Sequence, residues 1–165
     1  MSRLTNDQIG RQAELEAAVA LSRPVGAPHK RPLFRATFLG DKYPTVDLIV
    51  DVLGANDAAR GFFFVQVKGT TIDSPALPRL PVEVASERFN RLARLSAPTY
   101  LIGVDVVAYR TFVVAAVRPR RAKVSGISKA FPLGDDRVKL KLYREVLAYW
   151  AANRPLLLAT EFADV

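Results

Sequence analysis

A chain of 165 residues, half of them apolar and 24% charged, has the length and composition of one domain with one sizeable core, which excludes disorder as its main state. It has no cysteine and a single histidine, His29, which excludes disulfides, zinc–thiolate sites and hydrolases built on several imidazoles; a catalytic metal here would sit on oxygen ligands. The net charge of +8 divides into +2 over residues 1–82 (ten Lys/Arg, eight Asp/Glu) and +6 over residues 83–165 (fourteen and eight), a balance that suits a polyanionic partner, nucleic acid before membrane.

In chain order, Thr5, Asn6 and Asp7 offer N-cap chemistry for a helix running to Ser22, with Ile9, Ala13, Ala17, Ala20 and Leu21 at helical spacing. The acidic residues in this stretch argue against a signal peptide. No apolar run reaches the roughly 18 residues of a membrane span, so a cytoplasmic location is expected. Pro24, Gly26 and Pro28 end the helix, and His29 in this loop is expected to be exposed. Strands are expected at Leu33–Leu39, Val46–Leu53 and Phe62–Lys68, the last two joined by the turn-rich GANDAARG.

A loop with Pro75, Pro78 and Pro81 precedes a second helix over Val84–Leu95, with Phe89, Leu92 and Ala93 inward and Arg88, Arg91 and Arg94 outward. Thr99–Val107 and Thr111–Val117 form a hairpin across Ala108-Tyr109-Arg110. Residues 118–132 read as irregular and basic. Asp135 or Asp136 caps a last helix to Ala152, with Val138, Leu142, Val146 and Tyr149 on one face and Trp150 packing. The order α-β-β-β-α-β-β-α, with no repeat or second domain, is an α/β fold: a mixed central sheet flanked by helices.

Gln66 and Lys68 share one face of a very apolar strand, a costly placement unless something polar meets them. Asp47 on the preceding strand, with Asp51 on the same face, supplies a carboxylate if the two strands pair. A carboxylate and an amide oxygen can ligate magnesium, and a lysine can stabilise negative charge. The same spacing is equally met by a plain ion pair between Asp47 and Lys68, or by a lysine that leaves for solvent. Glu14 and Glu16, about 200° apart on the helix, flank the apolar stripe, and periodicity does not choose between them.

These residues resemble the PD-(D/E)xK nuclease superfamily, whose restriction-endonuclease-like core is α-β-β-β-α-β with an acid on the second strand and (D/E)xK on the third. Asp47 matches the first acid, and Gln66-Val67-Lys68 matches the QxK variant of the Mrr-like branch. Ile9-Gly10-Arg11-Gln12-Ala13-Glu14 is similar to the first-helix motif of such branches. The resemblance, closest to a bacterial domain-of-unknown-function family, runs from about Gly10 through FNRLARLSAPTYLIGVD to KLYREVLAYW, with one extra strand and a C-terminal helix beyond the core.

It implies one nuclease-like domain over residues 1–165: a Mg²⁺- or Mn²⁺-dependent endonuclease hydrolysing phosphodiester bonds, in DNA before RNA, in bacterial antiphage defence or repair. It implies Asp47, Gln66, the Val67 carbonyl and Glu14 as metal ligands and Lys68 as the residue activating water. By analogy a homodimer or a partner protein supplies targeting. Two positions depart from the pattern: Gln66 replaces a carboxylate, and Thr45 stands where relatives often carry glycine. The alternative function is a non-catalytic nucleic-acid-binding or assembly module. Arg118, Arg120, Arg121 and Lys123, followed by Lys129, Arg137, Lys139 and Lys141, are candidate phosphate contacts or a solvated basic face. Arg35 and Lys42 are lesser candidates.

Overall fold

A computed structural model describes residues 4–40, 43–72 and 75–153. Ten elements follow one another: α1 (Asn6–Ser22), β1 (Phe34–Phe38), β2 (Leu48–Leu53), β3 (Ala59–Thr70), β4 (Arg79–Leu80), α2 (Ser86–Ala93), β5 (Thr99–Asp105), β6 (Arg110–Ala115), β7 (Ile127–Ser128) and α3 (Asp136–Ala152). The expected α/β class, mixed sheet and three helices are all present.

Strands β1, β2 and β3 run as an antiparallel meander, β5 joins β3 in parallel, and β6 closes the far edge antiparallel, giving the order β1-β2-β3-β5-β6. The single parallel step needs a crossover, and residues 71–98, carrying β4 and α2, supply it. Alternation along each strand then feeds two cores. Val50, Val52, Phe63, Val65, Ile102 and Val104 face α1 and α3, whereas Leu101 and Phe112 face Phe89 and Leu92 of α2.

The helix boundaries have chemical causes. Thr5 closes a capping box on α1: its hydroxyl accepts from Gln8 N at 3.2 Å while Gln8 Oε1 accepts from Thr5 N at 2.8 Å. Asp135 rather than Asp136 caps α3, accepting from Arg137 N at 2.8 Å, and Asp136 instead accepts from Gly26 N at 2.7 Å. In the β5–β6 turn, buried Asp105 accepts from Val107 N, Ala108 N and Arg110, at 3.1, 3.0 and 3.0 Å. Trp150 packs as expected: its ring lies 4.7 Å from that of Phe62, and its indole N–H donates to the Phe62 carbonyl.

Two strands depart from the expected order. β4 and β7 form a two-stranded antiparallel ribbon, Arg79 opposite Ser128 and Leu80 opposite Ile127, in segments read as a proline loop and an irregular basic stretch. Each has only two residues, too few to show an alternating pattern, and the pairing partner lies far along the chain. The ribbon matters because Leu80 and Ile127 are fully buried over Gly103 of β5, where a Cβ would lie 2.9 Å from Leu80 Cδ2. Among the described residues no helix is long and apolar enough to cross a membrane.

Candidate functional site

β2 and β3 bring the proposed pair together by register. Leu48 stands opposite Val65, and one step further Asp47 faces Gln66, with Asp47 N donating to the Val65 carbonyl at 2.8 Å. Val67 lies two residues beyond Val65, so its N–H and C=O point to the same side as those of Val65, towards the end of β2. There the Asp47 carboxylate takes over from the ladder: Oδ2 accepts from Val67 N at 2.6 Å and from the Gln66 side-chain amide. Gln66, only 4% exposed, also directs that amide at the Val67 carbonyl, 3.3 Å away. Asp47 Oδ1 takes no hydrogen bond among the described residues.

Lys68 follows on the same face as Gln66, half-buried, and its ammonium makes neither an ion pair nor a hydrogen bond among the described residues. The plain Asp47–Lys68 ion pair is therefore not formed. Burial and the neighbouring charge of Arg88 push the Lys68 ammonium below the usual lysine range, against the pull of Asp47 and Glu14. Burial likewise holds the Asp47 carboxyl above its ordinary value, although Val67 N–H, Lys68, Arg88 and Gln66 all favour the ionised form.

These groups line a cleft of about 490 Å³ whose wall includes Glu14, Asp47, Gln66, Val67, Lys68 and Arg88. Tertiary structure separates the two glutamates. Glu14 opens on this cleft, whereas Glu16 lines a different one of about 250 Å³, beside Arg23, Arg110 and Lys139. α1 is seated tightly enough to hold Glu14 in place. A Cβ on Gly69, next to Lys68, would lie 2.7 Å from Ala13 Cβ and 3.0 Å from the Ile9 carbonyl. Gly69→Ala is expected to push α1 off β3 and to lower stability by about 1–3 kcal/mol in urea unfolding; a change under about 0.5 kcal/mol would show that α1 is not anchored there.

The other polar residues lie elsewhere. Asp51 is paired with Arg35 at 2.9 Å, and neither lines the cleft. Lys42 lies outside the described residues. Exposed Arg118, Arg120, Arg121 and Lys123 follow β6 and none of them lines the cleft; Arg120 and Lys123 dock on the α2 side. Asn90 brackets Arg120, accepting from its N at 2.6 Å and donating to its carbonyl at 2.9 Å. The Arg120 guanidinium lies 5.1 Å from the centre of the Phe89 ring, and Lys123 is paired with Glu83 at 2.7 Å. Lys139 is no phosphate contact: it is 3% exposed and donates to the Arg23 carbonyl at the end of α1. His29 is exposed.

Arg88 is the cleft residue that sequence reasoning missed. It was read as one of three outward arginines of α2, which is true of its exposure; only the crossing of α2 past the end of β3 gives it a site to face.

The donor set can be tested against a hard divalent cation. Among the described residues no three Asp, Glu, His or Cys side chains cluster, so the cleft offers two carboxylates, Glu14 and Asp47, plus neutral oxygens. Two acceptors, the Asp47 carboxylate and the Val67 carbonyl, converge on the Gln66 amide nitrogen, the positive end of that group. A half-turn of the amide exchanges its nitrogen for its oxygen. An oxygen there would repel both acceptors unless a cation stood between them. The set is thus all oxygen, as magnesium or manganese requires, and fits such an ion.

Fold and site together define an α/β protein with a mixed five-stranded sheet and a polar cleft where β2 and β3 part. No protein-family model matches the chain, and comparison with curated proteins and with solved structures finds no match to either.

Proposed function

We propose that this chain is a metal-dependent nuclease hydrolysing phosphodiester bonds, with α1, β1, β2, β3, α2 and β5 as a restriction-endonuclease-like core and β6 and α3 as additions. One observation carries the reading: Glu14, Asp47, Gln66, the Val67 carbonyl and the Lys68 ammonium, which has no salt bridge among the described residues, converge in one cleft. Asp47, Glu14, Gln66 through its amide oxygen and Val67 through its carbonyl would hold magnesium or manganese. That ion would supply Lewis-acid polarisation of a phosphoryl oxygen and a more acidic bound water.

The protein's own part is positional. Val67 N–H fixes the Asp47 carboxylate on one oxygen and leaves the other open to the cleft. The Lys68 ammonium orients the attacking water and offsets charge gathering on the phosphoryl oxygens, more strongly for being half-buried. The overall +8 charge favours a nucleic acid as the polyanion, DNA before RNA.

The test is cleavage of plasmid and single-stranded DNA with added magnesium or manganese, comparing wild type with Lys68→Ala. Wild type is expected to cut only with metal. Lys68→Ala is expected to lose about 10²- to 10³-fold in rate while still being stabilised by the cation. No cleavage by wild type under any metal would overturn the reading. A second reading, a nucleic-acid-binding or assembly module without catalysis, draws on the Gln66 amide filling the point between Asp47 and the Val67 carbonyl. It requires DNA binding that is indifferent to divalent cations.

A further inference from the structure

Next to the main cleft lies a second one of about 310 Å³, beneath the start of α2, and the two share Lys68 and Arg88. Its charges are not equally available. Glu83 is taken by Lys123, and Glu87 by Arg91 of the same helix. Arg88, between Glu87 and Phe89 in the chain, is exposed, and its guanidinium makes no hydrogen bond or ion pair among the described residues. Its field reaches both Asp47 and Lys68, yet it is not in salt-bridge contact with Asp47. An arginine that feels a carboxylate without touching it leaves room for something between them.

We propose that Arg88 is the substrate-phosphate clamp of this site: its guanidinium, where the two clefts meet, grips the phosphodiester held beside Asp47 and Lys68, and the strand continues through the second cleft. This assignment rests on the nuclease reading for its substrate, and its chemistry is that of arginine with an anionic phosphate. The planar fork donates two parallel N–H bonds to two phosphate oxygens, which a lysine's single ammonium does not reproduce. A strand leaving by the second cleft would meet walls whose carboxylates are already neutralised by Lys123 and Arg91, so its next phosphate is not repelled.

The experiment uses a short fluorescein-labelled single-stranded oligonucleotide in EDTA, with anisotropy read across a salt series, and then cleavage kinetics with magnesium. Arg88→Ala, Arg88→Lys and Arg94→Ala are compared with wild type; Arg94, likewise exposed, caps the opposite end of α2 and lines neither cleft. Arg88→Ala is expected to weaken binding about tenfold and to reduce the slope of log K against log salt by about 0.7, the share of one phosphate contact. Its kcat/KM should fall about 10- to 100-fold. Arg88→Lys should restore the slope but only part of kcat/KM, and Arg94→Ala should change binding less than about twofold.

Binding and cleavage by Arg88→Ala at wild-type levels, or an equal loss in Arg94→Ala, would overturn the assignment while leaving wild-type cleavage to speak for the nuclease reading. Conversely, a wild type that never cuts, with the Arg88 effects on binding intact, sinks the nuclease and keeps the clamp.

Discussion

Replacing Asp47 with asparagine is expected to abolish metal-dependent cleavage, a loss of about 10³-fold or more, without lowering the stability of the metal-free protein. The first half follows from position. Asp47 is the carboxylate that β2 and β3 hold at their parting, and on the proposed metal-dependent mechanism losing the cation would remove several kcal/mol of transition-state stabilisation. The second half follows from burial. The carboxyl is held above its ordinary value of 3.8, with burial the largest cause, so the folded state takes up a proton more readily than the unfolded chain. An acid shifted upward stabilises the fold below its unfolded value and loses that contribution as pH rises through the folded value.

Asparagine keeps an acceptor for Val67 N–H and carries no charge to desolvate. Urea unfolding in EDTA should therefore show Asp47→Asn at or above wild-type stability at neutral pH, with the difference opening as pH rises above 3.8. Asp47→Ala should fare worse by about 1–3 kcal/mol, because Val67 N–H is left without its acceptor. Adding magnesium or manganese should raise the wild-type Tm and leave Asp47→Asn unmoved. Cleavage surviving in Asp47→Asn would remove the metal centre from the mechanism.

Trp150→Ala is expected to cost about 3 kcal/mol of stability while leaving the chemistry of folded molecules intact. The indole lies at the far end of α3, its ring centre 4.7 Å from Phe62 and 5.4 Å from Tyr149, and its N–H donates to the Phe62 carbonyl at 2.7 Å. The ring also occupies the space above Gly61, where a Cβ would come within 2.3 Å of Trp150 Cδ1. Truncation removes the ring contacts, the hydrogen bond and the cover of that glycine together. Trp150→Phe should recover most of the loss, short by about 1 kcal/mol for the missing bond. Phe62 lies four residues before Gln66, about 13 Å along β3, so kcat should hold where the variant is folded. A loss below 1 kcal/mol in urea unfolding would mean that the end of α3 does not dock on β3.

Local chemistry made much of this molecule legible. Thr5, Asn6 and Asp7 ahead of an apolar stripe mark the start of α1, and Pro24 and Gly26 mark its end, because caps and breakers act within a few residues. The run Phe62–Lys68 alternates strongly enough to place Gln66 and Lys68 on one face, and Asp47 on a neighbouring strand needs only an antiparallel pairing to reach them. The β4–β7 ribbon left no such mark, since two residues carry no period.

The sequence by itself determined the three helices, the five strands of the main sheet, the α/β class and the face shared by Gln66 and Lys68, because periodicity, capping and side-chain alternation are properties of a short stretch of chain. Tertiary structure alone decided which groups meet. It chose Glu14 over Glu16 by the rotation of α1 against β3, and it left Lys68 without the carboxylate partner that spacing also allowed. It paired Asp51 with Arg35, buried Lys139 beneath the end of α1, and carried α2 past the end of β3 so that Arg88 faces the cleft. Contacts between distant segments depend on how whole elements pack, and no window of sequence contains both partners.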